Sequence, residues 1–388
     1  MARQNEPMER SNQRVLTTHT GSLPRVPAIA DLLRRREKGE ALSLIEIEQA
    51  AAAATREVVV QQLATGLDIV NDGEQHKPSY ATYIIDRVAG FEGERRAVFP
   101  RRLDSADFPE WARAAAPRGL ATLRVPTCNA PLEWKDFDAV GRDVARLQAA
   151  AQGQPVSELF MTAASPGVIS VMLANAYYPS REAYVFALAD IMRREYEAIV
   201  AAGFVLQIDC PDLAMSHNSE FSDLSLPQFK EVIGMHVDAL NHATAGIAPD
   251  RMRMHLCWGN YEGPHNHDVA LGEILPIVLR ARPGALSFEG ANPRHAHEWK
   301  VWRDVELPDG KIIIPGVLDT TTNYVEHPEL VAERIVRYAG IVGKEQVIAG
   351  ADCGFGSMFE AGGVETRVVW AKLAALVEGA RLASTELW

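Results

Sequence analysis

Short apolar runs rich in Val, Ile and Leu alternate with longer stretches of helical periodicity along most of the chain. The runs fall at 15–17, 67–70, 159–162, 205–208, 252–256, 285–288, 312–316 and 347–350. Between them, apolar residues spaced for one helix face predict helices over 42–65, 181–202, 226–243, 270–281, 328–342 and 364–382. Strands that alternate with helices make a parallel sheet, and eight of them in line predict an α/β fold of the (β/α)8 TIM-barrel type. The segment 90–131 breaks the alternation. Its stretches RRAVFPRRLD and GLATLRVPTCNAP read as an extended pair, so a β-hairpin inserted after the second strand is expected. Residues 1–14 read as a loose N-terminal arm and 15–388 as one barrel domain, with no internal repeat and no low-complexity linker.

Composition narrows the function classes. A length of 388 residues suits a barrel with insertions, and 47% hydrophobic with 23% charged residues excludes a disordered or fibrous chain. With 51 acidic against 39 basic residues the net charge is -12, which argues against a nucleic-acid partner. No apolar run reaches membrane-spanning length, and the polar start MARQNEPMERSNQR lacks the core of a signal peptide, so no membrane and a cytoplasmic location are expected. Four cysteines cannot form a disulfide framework in so long a chain; in a reducing compartment they are buried fillers, nucleophiles or metal ligands.

In a barrel, chemistry gathers at the C-terminal ends of the strands. Those ends read THTGSLPR, NDGEQHKPSY, AASPG, DCPD, HLCWGN, EGANPRH, LDTTTN and ADCGFGS, all rich in binding groups. His255 and Cys257 lie two apart on one strand and so share a face. Alone they read as well as a packed core pair. Glu289 and Cys353, each at its own strand end, turn the reading toward a zinc site, since zinc accepts imidazole, thiolate and carboxylate together. Cys128 and Cys210 read as buried structural residues. A zinc hydrolase, with water in the open metal position, is an alternative on the same ligands. A purely structural zinc would not require polar groups around the whole barrel mouth.

The motifs TTHTGSLPR, VNDGEQHKPSY, LQIDCPDL, HLCWGN, LSFEG and AGADCGFG together resemble the catalytic barrel of the cobalamin-independent methionine synthase family, including its epoxyalkane:coenzyme M transferase-like members. The resemblance runs from Leu16 to about Gly356. It implies a zinc-dependent transferase that activates a thiol as the thiolate and alkylates it, with His255, Cys257, Glu289 and Cys353 as ligands. It also implies that Ser22, Glu74 and Asp209 hold the acceptor. Physically, two carboxylates suit an ammonium group. The expected partners are a small-molecule thiol and an alkyl donor: homocysteine with a folate or corrinoid, as in a stand-alone methionine synthase, or a sulfonated thiol with an epoxide.

Two departures count against a folate. The chain has no room for the second barrel of the long members, and Thr321 stands where the family has a proton-donating His. His19 and His76, in strand-end loops, are candidate replacements, and Lys77, Arg25 or Arg294 could meet an anionic substrate group. The pairs His265/His267 and His295/His297 read as solvated loop residues.

Overall fold

The computed structural model describes residues 6–98, 102–115, 124–357, 359 and 363–388. Helices α1 (Pro27–Glu37) and α2 (Leu44–Thr65) precede strand β1 (Ile69–Val70). An insertion follows, comprising α3 (Ile84–Arg87), β2 (Val88–Ala89), β3 (Arg95–Ala97), α4 (Leu103–Asp107), α5 (Pro109–Ala115), β4 (Arg124–Pro126) and β5 (Glu133–Trp134). Then come α6 (Asp138–Ala151), β6 (Glu158–Ala164), α7 (Pro166–Met172), α8 (Arg181–Ala201), β7 (Val205–Asp209) and α9 (Leu226–Ala243). The chain ends with β8 (Met252–Leu256), α10 (Leu271–Val278), β9 (Ala285–Phe288), β10 (Ile312–Leu318), α11 (Pro328–Val342), β11 (Gly350–Ala351) and α12 (Thr366–Leu387). Helix boundaries follow local chemistry. Ser43 caps α2 by accepting from Glu46 N, and Gly66 ends it in the left-handed conformation at φ 95°.

Seven strands form one parallel sheet in the order β1-β6-β7-β8-β9-β10-β11. The predicted first strand is a single bridge, Thr17 to Ala349. Its backbone nevertheless bonds both sheet edges, since Thr17 O accepts from Asp68 and Ile69 N, and Thr18 N donates to Ala349 O. Residues pointing inward change character along the strands. At the N-terminal end Leu16, Ile69, Phe160, Val205, Ala285, Ile312, Ile314 and Ile348 pack into one apolar cluster with Met8. Above them lie polar side chains, and the candidate ligands stand at the C-terminal ends.

Two expectations need correction. The N-terminal arm is not loose over its described part: Met8 and Ser11 are buried, Met8 N donates to Asp250 O, and Ser11 Oγ donates to Val347 O. The arm plugs the apolar end of the strands because that end would otherwise expose its cluster to water. The insertion is also more than a hairpin. It contains two antiparallel ladders, β2 with β5 and β3 with β4, and helices α4 and α5 intervene between β3 and β4. The parts of the expected pair at 99–101 and 116–123 lie outside the described residues.

No helix among the described residues is long and apolar enough to cross a membrane.

Candidate active site

Strand β8 carries His255 toward its end and Cys257 just beyond it, and Cys353 follows β11. The ligating atoms of these three buried residues all lie within 4.8 Å of one another. The two Sγ atoms are 3.5 Å apart, and Cys257 Sγ accepts from Gly259 N at 3.1 Å. His255 Nδ1 lies 3.2 Å from Ser287 Oγ, while its Nε2 is buried with no hydrogen-bond partner. Burial pushes His255 down to about 3, so the imidazole is neutral, as a metal ligand must be. The Cys353 hydrogen bond and burial push the Cys257 thiol well up, the usual result where no cation offsets a thiolate. A buried imidazole with one unpartnered nitrogen, together with two thiols gathered within 4.8 Å, is a donor set that fits zinc.

Glu289 is not within that trio. Its Oε1 accepts from Trp258 N at 2.7 Å and its Oε2 from Asn292 Nδ2 at 2.8 Å, so it stands beside the cluster on the loop after β9. Burial raises its pKa, and His295 draws it back.

Glu74, in the loop after β1, and Asp209, at the end of β7, stand on either side of β6. Glu74 adopts φ 53°, a left-handed conformation rare outside glycine and common at functional loops. Its Oε1 accepts from Thr162 Oγ1 at 2.7 Å, and its Oε2 is buried with no partner. Asp209 Oδ1 accepts from Gln207 Nε2 at 2.8 Å. Burial and then the Glu74 charge push Asp209 well above the carboxylate range, while burial raises Glu74 against the pull of Lys77 and Arg25. Ser22 ties the first loop to the Cys353 loop: its carbonyl accepts from Phe355 N at 2.9 Å and its Oγ from Gly356 N at 3.3 Å. A Cβ on Gly354 would lie 2.0 Å from Ser22 Oγ, so that approach requires glycine.

Other expected site residues have partners of their own. His19 accepts from Gly21 N at Nδ1, which leaves Nε2 to donate to Gln62 Oε1 at 2.8 Å, and burial lowers it to about 4. His76 Nε2 is 2.9 Å from Asp143, in a buried cluster with Arg87 and Arg146. Lys77 Nζ donates to Thr162 O at 2.8 Å and lies 4.4 Å from the Tyr83 ring centre. Arg25 donates to the carbonyls of Leu23, Gly356 and Lys77, whereas Arg294 is exposed. Thr321 donates from Oγ1 to Asp319, capping its own turn. Cys128 and Cys210 are buried, each with its thiol directed at a backbone carbonyl.

His295 differs from the solvated reading. It is buried between Asp268 and Glu298, at 3.0 and 2.8 Å, and its ring centre lies 4.2 Å from that of Trp258. Sequence reasoning also missed Asp352. Its carboxylate accepts from Gly290 N, Ala291 N and Asn292 N, each at 2.8 Å, and from Asn292 Nδ2 at 3.0 Å. It thereby fastens the Glu289 loop to the Cys353 loop. Its place inside ADCG, next to a candidate ligand, was the available signal.

No family model matches the chain. It is 25% identical to a methionine synthase of Saccharolobus solfataricus over 374 residues, covering 96% of this chain and 95% of that protein. It is 24% identical to 2-hydroxypropyl-CoM lyase of Xanthobacter autotrophicus, covering 91% and 89%. A B12-independent methionine synthase from Shewanella sp. W3-18-1, solved with selenomethionine, superposes with a TM-score of 0.74 at 21% identity, covering 96% of this chain and 99% of that one. A putative one from Listeria monocytogenes gives 0.65 at 17% identity. Proteins of this chain's length thus carry the name methionine synthase, which removes the argument from a missing second barrel. The chain is thus similar over nearly its whole length to proteins named methionine synthase and 2-hydroxypropyl-CoM lyase, and it shares its fold with B12-independent methionine synthases.

Proposed function

We propose that this protein is a transferase that alkylates a small-molecule thiol at a zinc site formed by His255, Cys257 and Cys353, with Glu289 as the fourth ligand. The observation that carries the reading is the clustering of buried His255, which has an unpartnered ring nitrogen, with two thiols at the mouth of the strands where Glu74 and Asp209 also stand. The 16–18 segment, bonded to both sheet edges, closes the barrel as its eighth strand in this reading. When bound, zinc would lower the pKa of the acceptor thiol and hold it ready for attack on an electrophilic carbon. Glu74 Oε2 and Asp209 Oδ2 then take the acceptor's ammonium group. Ser22, stitched to the Cys353 loop, sets the distance between that group and the sulfur. Glu289, anchored by Trp258 N and Asn292, would complete the ligand set by exchanging one of these bonds for the metal.

A second reading, a stand-alone methionine synthase, draws equal support from relatives matched over almost their whole length. A methyl donor that leaves a basic nitrogen then needs a proton source other than Thr321, whose hydroxyl serves Asp319.

The test has two parts. Cys257→Ser and Cys353→Ser should each lose most of the bound zinc, and full zinc retention in both would refute the site. Calorimetry of the zinc-loaded protein with homocysteine, coenzyme M, cysteine and glutathione should then show one thiol that binds with proton release. Methyltetrahydrofolate and an epoxide, offered with that thiol at equal zinc loading, separate the two readings.

A further inference from the structure

Beneath the two carboxylates run two chains of polar side chains with the same polarity. Thr162 on β6, Gln207 on β7 and Arg253 on β8 are consecutive register partners, one inward layer below Asp209 and His255. All three are buried, as is Lys77. Lys77 Nζ approaches Thr162 at its carbonyl, 2.8 Å, and at its hydroxyl, 3.4 Å. An ammonium has only hydrogens to give. The single Thr162 hydroxyl hydrogen is therefore directed to Glu74 Oε1, at 2.7 Å.

The second chain is fixed in the same way. Arg253 donates from Nε to Gln207 Oε1 at 2.7 Å, and it also donates to Thr18 Oγ1 and His19 O. A guanidinium accepts nothing, so the Gln207 amide cannot flip, and its nitrogen must face Thr20 O and Asp209 Oδ1. Among the described residues neither Lys77 nor Arg253 forms an ion pair with a carboxylate. Each cation acts through a neutral group that holds one oxygen of a carboxylate and leaves the other open, as the unpartnered Glu74 Oε2 shows directly.

We infer that Thr162 and Gln207 are positioning residues that present Glu74 and Asp209 as acceptors, each with one free oxygen, so that the site discriminates for an amine-bearing thiol. The inference rests on the thiol-alkylation reading for the identity of the acceptor. A direct ion pair from Lys77 or Arg253 would occupy the carboxylates and abolish this preference, and the intervening neutral groups prevent it.

The experiment measures binding of L-homocysteine and of 4-mercaptobutyrate, the same skeleton without its amine, to the zinc-loaded full chain. The wild type should prefer homocysteine by about tenfold or more, the usual worth of a hydrogen-bonded charge. Thr162→Val keeps the shape but removes the donor to Glu74. It should weaken homocysteine about tenfold, leave 4-mercaptobutyrate within about twofold, and keep the zinc content. Thr162→Ser should restore the preference. Unchanged homocysteine binding in Thr162→Val, or equal weakening of both thiols, would overturn the inference while leaving thiol alkylation standing. A wild type that binds neither thiol overturns the thiol reading itself, and the inference with it.

Discussion

Asp352 offers the sharpest test of how the site is held together. It accepts four hydrogen bonds, two at each oxygen, and all come from the loop after β9 that carries Glu289. The replacement Asp352→Asn preserves shape but converts one acceptor oxygen into an NH2 group facing two donors. Hydrogen bonds to a charged group contribute about 1.5–3 kcal/mol each. Two lost bonds amount to about 3–6 kcal/mol, offset in part because a buried charge is no longer desolvated. A net loss of roughly 3 kcal/mol is expected, a large share of the ~5–15 kcal/mol that holds a typical protein folded. Asn292 would also be released, and with it the Oε2 anchor of Glu289. Urea denaturation should therefore show a lower midpoint, and competition with a chelator should show weaker zinc retention. An Asp352→Asn variant with wild-type stability and wild-type zinc retention would refute the view that this carboxylate fastens the two loops. Gly316 supports the same arrangement, since a Cβ there would lie 2.1 Å from Asp352 Oδ1; Gly316→Ala should reproduce the defect.

Two further predictions follow from buried titratable groups. Burial alone would lower His295, but hydrogen bonds to Asp268 and Glu298 raise it to about 10. Its stabilising contribution is full below the unfolded-state value near ~6.5 and is lost as pH rises through about 10, so the melting temperature should fall across that window and fall less in His295→Asn. The Cys257 and Cys353 sulfurs, 3.5 Å apart, should also form an intramolecular disulfide when the zinc-free protein is treated with diamide. Thiol titration would then show the loss of two thiols, and prior zinc loading should prevent it; equal oxidation with and without zinc would contradict a shared metal site.

Much of the parallel sheet was legible because its strands are short, largely apolar stretches set between segments of helical periodicity. The stretches 252–256 and 285–288 coincide with β8 and β9. The first strand was harder, since only Thr17 forms a ladder bridge. Helix α6 escaped notice because it follows the insertion, where the alternation of strand and helix was already broken. Within the site, His255 and Cys257 could be paired from sequence because side-chain direction alternates along a strand. The rule fails past the strand end. The left-handed turn at Glu74 redirects the chain, so His76 and Lys77 meet Asp143 and Thr162. Asp352 was harder to read for a different reason: its only signal was its place beside Cys353, and its partners are mostly backbone amides, whose positions no residue pattern encodes.

The N-terminal plug has a consequence for how this chain reaches its native state during synthesis. Several of its partners lie far along the sequence: Ser11 bonds Val347, Val15 bonds Ser384 Oγ, and Leu16 and Thr18 bond Ala349. Residues 11–18 must therefore wait for residues 347–384 before they can dock fully. Until then the apolar ends of the strands are uncovered, and contacts of such long sequence separation form slowly. A folding intermediate in which residues 347–384 have not yet docked thus leaves this end of the sheet open to aggregation.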